Sequence, residues 1–240
     1  MKNEIQNIQS KFQTKNIDKQ MYISSMYEAL HLRLHDLSDL LKKSEVTKIE
    51  ITDKGVIAEM RGVKLLMTKG DERLAPIDAI NFGAYEQEEI DMILSLLSHA
   101  STFYDIGANI GLYSLMAAKQ FPMLKIHAFE PLPRTHEFLL NNISLNNSTT
   151  ITTHKNGFSE KAGEFSFYFE PSSSVSASMQ NIKESADAQE IKCPVYMLDT
   201  FTKEHSHIVD FIKCDVEGAE LLVLKGGVEM LKKRQTNSLS

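Results

Sequence analysis

Apolar residues in the first part of the chain fall on a single helical stripe. Met26, Leu30, Leu34, Leu37 and Leu41 are spaced by four, four, three and four, which puts them on one face of a helix. Such a face needs a covering surface, either its own domain or a second copy of the chain, although fewer than three clean heptads are present for a coiled-coil seam. From Val46 the period changes to two. Strands are predicted over 46–51, 56–60 and 63–67, with Asp53, Lys54 and Gly55 as a turn, giving a small antiparallel meander. A helix over 90–97 follows. Glu86, Glu88 and Glu89 stand at its start, where acids suit the helix dipole.

Beyond residue 100, strand and helix patterns alternate. Strands are expected over 102–105 and 126–129, helices over 112–120 and 137–145 (the latter capped by Thr135), and a third strand over 149–154. Phe165, Phe167 and Phe169 alternate as a further strand, and residues 171–190, rich in serine and poor in apolar residues, read as a loop over the site. Strands over 195–198 and 209–214 and a helix over 221–231 complete the pattern. This order predicts an α/β fold with a Rossmann-like parallel sheet. The organisation expected is a helical extension over 1–45, the meander over 46–80 and a larger α/β domain over 81–240.

Composition narrows the partners. With 26 basic and 32 acidic residues the net charge is −6, which gives no general attraction to nucleic acid or anionic lipid. Cys193 and Cys214 have no zinc-ligand spacing, which suits a reducing compartment. The N-terminus lacks an apolar leader and no run of eighteen apolar residues occurs, so a soluble, cytoplasmic protein without a membrane partner is expected.

The chemistry concentrates at the ends of the predicted strands. Residues 102–111 read T-F-Y-D-I-G-A-N-I-G, a strand running into a glycine turn and then a helix, where backbone N–H groups meet a ligand without an intervening Cβ. A dinucleotide fingerprint starting at Gly107 would need glycine at 109 and 112, where Asn109 and Leu112 stand, so a nicotinamide oxidoreductase is disfavoured. The acid at Asp105 suits a cationic ligand instead. S-adenosylmethionine carries a sulfonium and an ammonium and no phosphate. Glu130, at the end of the next strand, stands where an acid bonds ribose hydroxyls. Asn156, at the end of the third, reads equally as a contact to the adenine end or as a plain turn residue. Asp215 and Glu217 follow the strand V-D-F-I-K-C with Gly218 and Glu220, placing carboxylates beside the reactive centre. Of the histidines, His127, His136, His154, His205 and His207 show no metal spacing, and His205 and His207 read as solvated.

The motifs D-I-G-A-N-I-G-L-Y-S, A-F-E-P-L-P, N-N-I-S-L-N-N and F-I-K-C-D-V-E-G-A-E-L-L-V-L-K-G-G, with F-G-A-Y-E upstream, resemble the FkbM-type methyltransferases. That resemblance implies a class I, S-adenosylmethionine-dependent enzyme that methylates a hydroxyl on a sugar, glycan or polyketide-type small molecule. It implies that Asp105, Gly107, Asn109 and Gly111 hold the methionine part, that Glu130 holds the ribose, and that Asp215 faces the reaction centre. Asp215 is the expected proton acceptor, with Glu217 in reserve. In a complete sheet of this class three further strands follow, so the sequence predicts missing C-terminal strands and an exposed edge on the strand over 209–214. That edge and the N-terminal helix are the two expected places of self-association. The competing reading is a non-catalytic cofactor-binding or interaction module.

Overall fold

The computed structural model describes residues 2–53, 55–169 and 189–237. The expected loop over 171–190 lies outside them except for its last two residues. Helices α1 (Lys2–Gln13) and α2 (Lys19–Met26) lead through a π-helical turn, Tyr27–His31, into α3 (Leu32–Leu41). The π turn inserts a residue into the helical repeat and rotates the following face. Of the apolar stripe, Met26, Leu30, Leu37 and Leu41 are half-buried and Leu34, just past the π turn, is 48% exposed.

Strands β1 (Val46–Thr52), β2 (Gly55–Met60) and β3 (Val63–Met67) form an antiparallel sheet in that order. Helices α4 (Ala75–Phe82) and α5 (Gln87–Leu96) follow, then β4 (Thr102–Ile106), α6 (Leu112–Gln120), β5 (Lys125–Phe129), α7 (Pro133–Leu145) and β6 (Ile151–His154). Helix α7 starts two residues ahead of Thr135, which therefore lies inside the helix. Pro133 opens it because a fixed φ and a missing N–H cost nothing at a first helical position.

Next come β7 (Gly157–Phe158), β8 (Gly163–Phe169), β9 (Gln189–Tyr196), α8 (Leu198–Glu204), β10 (Phe211–Cys214), α9 (Glu220–Lys225) and α10 (Val228–Asn237). The strand expected to end at Leu198 stops at Tyr196, and Leu198 instead begins α8. The single helix expected over 221–231 is two helices broken at Gly226 and Gly227. A Cβ on Gly226 would lie 2.2 Å from the Ser159 carbonyl oxygen, so the chain passes there at glycine distance. The strand expected from residue 209 begins at Phe211, because Asp210 turns its carboxylate to the N–H groups of Ser101 (2.8 Å) and Thr102 (2.9 Å).

The central sheet is parallel, in the order β10-β4-β5-β6, and β10 is its edge strand among the described residues. The order reverses between β4 and β10, so the loops leaving their carboxyl ends diverge and open a crevice there. One face, with Phe103 and Ile126, packs against α5, α6 and the inner residues of the meander, including Met60, Val63 and Leu65, in a single core. The other face, with Tyr104, Ile106 and Phe129, meets Leu198, Phe201 and Val223. A second small sheet, β7-β9-β8, packs Phe167, Cys193 and Val195 on Leu132. No helix among the described residues is long and apolar enough to cross a membrane.

Two asparagines of the N-N-I-S-L-N-N motif join the meander to the parallel sheet. Asn142 and Asn146 are one turn apart on α7 and act on β3 as a neighbouring strand would. Asn142 Oδ1 accepts the Leu66 N–H (2.8 Å), and Asn146 bonds both the N–H (2.8 Å) and the carbonyl (2.7 Å) of Lys64. Asn142 Nδ2 also donates to the Ile110 carbonyl (2.9 Å) in the glycine turn. Asn142 is fully buried, so its loss would leave a donor and an acceptor unpaired, at about 1–3 kcal/mol each. Asn142→Ala should thus lose about 2–5 kcal/mol in urea denaturation. A loss below about 0.5 kcal/mol would show that water replaces these bonds.

Candidate functional site

Three carboxyl-end turns of the central sheet, after β4, β5 and β10, supply the site. After β4 the chain turns at Gly107 (φ 76°) and Asn109 (φ 50°), both left-handed, and enters α6 from Gly111 (φ 92°). The N–H groups of Gly107 and Ala108 both donate to the Phe129 carbonyl (3.1 and 3.0 Å) at the end of β5, which fixes this turn to the next strand. Glycine at 107 is required twice. Its φ disfavours other residues, and a Cβ there would lie 1.8 Å from the Asp215 carbonyl oxygen beyond β10.

A cleft of about 200 Å³ opens at this point. Gly107, Asn109, Glu130, Asp215 and Glu217 all line it, joined by Arg73, Tyr85, Glu86, Tyr113, Phe167 and Lys213. Three of the residues singled out in the sequence do not. Asp105 is wholly buried beneath the turn, where its Oδ2 accepts the Ser114 hydroxyl (2.6 Å). Gly111 faces Leu139, and a Cβ there would come within 2.5 Å of that side chain. Asn156 is buried, with its Nδ2 donating to the Gly157 carbonyl (3.1 Å).

Glu130 braces the two turns that meet over it. Its Oε2 accepts the Asn109 N–H (3.1 Å) and its Oε1 the Leu132 N–H (3.0 Å). Burial pushes its carboxyl up to about 7, against the lowering effect of those two N–H donors and of Lys213. Each carboxylate oxygen has room for a second donor, so a ligand hydroxyl can bond Glu130 without displacing the backbone.

Lys213 was not singled out by its sequence, yet it holds the charges of the site together. It is the register partner of Asp105 across the β10–β4 pairing, which puts both side chains on one face. Its Nζ donates to the Gly107 carbonyl (3.2 Å), lies 3.4 Å from Asp215 and 3.6 Å from Asp105, and sits 4.9 Å from the centre of the Tyr113 ring. Burial works to discharge this ammonium. Asp105 and then Asp215 outweigh burial and hold the pKa above its ordinary value. Glu86, read from the sequence as a helix-start acid, accepts the Tyr113 hydroxyl (2.7 Å) at the cleft wall. Burial, with Glu86 beside it, keeps the Tyr113 phenol protonated far above neutral pH, as it does the phenol of Tyr85. The signal for this wall was the F-G-A-Y-E stretch, whose Gly83 turns at φ 94°.

The wall therefore carries four acids, Glu86, Glu130, Asp215 and Glu217, against two bases, Arg73 and Lys213, with buried Asp105 adding a further negative charge behind it. An acidic field and a carboxylate with lone pairs to spare suit a ligand that is cationic at one end and carries hydroxyl groups. A pyrophosphate would be repelled.

Residues 105–238 match the model of the methyltransferase FkbM domain. The chain is 28% identical to Methyltransferase 1 of Beauveria bassiana, over 52% of this chain and 58% of that protein. It is 30% identical to Methyltransferase sdnD of Sordaria araneosa, over 51% of this chain and 58% of that one. The chain thus spans somewhat over half the length of these curated relatives. A solved S-adenosylmethionine-dependent methyltransferase from Agrobacterium tumefaciens superposes with a TM-score of 0.31 at 13% identity, over 41% of this chain and 31% of that one, an overlap too partial to bear on function. With the match extending over more than half of its residues, and the motif-bearing turns lying inside it, the chain belongs to the FkbM methyltransferase family.

Proposed function

We propose that the cleft binds S-adenosylmethionine and that the protein transfers its methyl group to a hydroxyl of a small molecule or glycan. The observation that carries this reading is the acidic, phosphate-repelling cleft at the switch point between β4 and β10, with the glycine turn as its floor. S-adenosylmethionine, when bound, supplies a methyl group on a sulfonium that departs as a neutral thioether. The residues present fit it: Gly107 and Asn109 for the methionine end, Glu130 for the ribose, and the carboxylates of Glu86, Asp215 and Glu217 for positive charge.

The chain's own contribution is positioning and proton uptake. Methyl transfer to a hydroxyl oxygen would release the hydroxyl proton, so the chain must supply an acceptor for it. Asp215 lies at the cleft wall to accept it, with Glu217 as the second carboxylate. Lys213 fixes Asp215 from behind, and Tyr85 and Tyr113, whose hydroxyls are held by Glu86, offer aromatic faces to the acceptor.

Two outcomes follow. Asp215→Asn keeps the shape and removes the proton acceptor, so methyl transfer to hydroxylated acceptors should fall by about 10²-fold or more, with affinity for S-adenosylhomocysteine within about tenfold of the parent. An unchanged rate would assign the proton to Glu217. The second concerns Glu130. Its stabilising contribution is full below 4.5 and is lost as pH rises through about 7, because the neutral acid is the form the free fold favours. Ribose hydroxyls favour the charged form, so binding between these values should release a proton, and affinity should rise with pH up to about 7 and then level. Calorimetry in buffers of different ionisation enthalpy measures this. Glu130→Gln should abolish the release and weaken binding about tenfold or more. A buffer-independent heat in the parent would remove Glu130 from the site.

A further inference from the structure

The amino end of the same sheet carries chemistry of the opposite sign. A pocket of about 580 Å³ lies there, with Lys125, His127, Thr150, Thr152, Ser206 and His207 among its walls and no Asp or Glu among them. In a chain of net charge −6 such a wall is unexpected.

The histidines that spacing failed to connect meet here. The rings of His127 and His207 lie 4.2 Å apart, His127 Nδ1 bonds His154 Nε2 (3.0 Å), and His205, bonded to the Phe201 carbonyl (2.9 Å), lies 5.5 Å from His207. The strand register makes this inevitable once the fold forms, since His127 pairs with Tyr104 on one side and Thr152 on the other. Apart from the Tyr104 hydroxyl, the titratable groups that bear on His127, His154 and His207 are bases: one another, His205, Lys125 from β5 and His136 from α7. Burial first, and then these neighbours, depress the pKa of His127 and of His154 to about 4 and lower that of His207. The acids nearest in sequence accept backbone N–H groups, Asp210 at the pocket's edge those of Ser101 and of the pocket residue Thr102, and Asp199, away from it, those of Glu229 and Met230.

The donors are turned to use. Burial keeps the Tyr104 hydroxyl protonated, and its only hydrogen-bond partner among the described residues is His207 Nδ1. A neutral His207 that accepts there carries its hydrogen on Nε2. The Nε2 atoms of His127 and His207 make no hydrogen bond among the described residues, and the Thr150 hydroxyl oxygen is buried without one. A cluster of bases with unused ring nitrogens, and with no carboxylate in the pocket wall, suits an anion.

We propose that this pocket is a second ligand site, distinct from the cleft at the carboxyl end, which takes a tetrahedral oxyanion of the sulfate or phosphate class held by Lys125, His127, Thr150 and His207. The anion supplies the negative charge that the bases lack, and it makes protonation of His127 and His207 favourable where it is now unfavourable. Binding is therefore coupled to proton uptake and strengthens as pH falls.

Calorimetric titration of the full chain with sulfate, whose charge is constant across neutral pH, tests this. The expected result is saturable one-to-one binding that is tighter at about pH 6 than at about pH 8, with the ring protons of His127 and His207 shifting in NMR spectra. Lys125→Gln, on an exposed side chain, and His207→Gln should each weaken binding by about tenfold, while thermal melting shows both variants folded. Phosphate and a nucleoside monophosphate identify the source, a tighter nucleotide marking the oxyanion as part of a larger ligand and equal affinity marking a free anion, and either upholds the site. Heats that do not saturate, affinity independent of pH, or full affinity in both variants would overturn it.

Discussion

The backbone of Gly107 passes the backbone of Asp215 at a distance that no side chain permits, and the site is arranged around that approach. A Cβ at 107 would stand 1.8 Å from the Asp215 carbonyl oxygen. The closeness follows from parallel pairing of β4 with β10, which carries Phe103, Tyr104, Asp105 and Ile106 alongside Phe211, Ile212, Lys213 and Cys214. Register then brings Lys213 beside Asp105, and the turn after β10 brings Asp215 back to the same ammonium. A buried lysine is costly alone, and removing one partner of such a group typically costs about 3–5 kcal/mol. Here two carboxylates, the Gly107 carbonyl and the Tyr113 ring share it. The charge that organises the turn also sets the potential a ligand meets.

The two ends of the sheet are therefore chemically distinct. Carboxylates collect where β4, β5 and β10 end, around the glycine turn that follows β4. Bases collect where the strands begin, around His127 and His207. The meander belongs to this arrangement: Met60, Val63 and Leu65 share a core with Phe103 and Ile126, and Asn142 and Asn146 bond the edge of β3, Asn142 also reaching the Ile110 carbonyl of the glycine turn. Packing of the N-terminal segment and geometry of the turn are thus linked through one helix.

The strand, glycine turn and helix of 102–120 were legible because glycine, β-branched and apolar periodicities all agree there, and the same holds for the acids at the ends of β5 and β10. What was not legible depended on register between distant strands. Lys213 is one polar residue in an apolar strand, and only its pairing with Asp105 gives it a role. The histidines at 127, 154, 205 and 207 have no shared spacing because three segments deliver them. Asp105, Gly111 and Asn156 carry the expected residue types and lie off the cleft lining, which only the packing of the turns decides. Helix α8 was hidden because Met197 and Leu198 continue the apolar run of β9, and the stripe before Leu41 was rephased by a π turn that no apolar spacing announces.

The central claim is that the acidic cleft above Gly107 accepts a sulfonium nucleoside and refuses a pyrophosphate. Titrating the chain calorimetrically with S-adenosylhomocysteine and, in parallel, with NAD tests it most directly. The account predicts saturable one-to-one binding of S-adenosylhomocysteine and no saturable heat with NAD; saturable NAD binding with none for S-adenosylhomocysteine would contradict it.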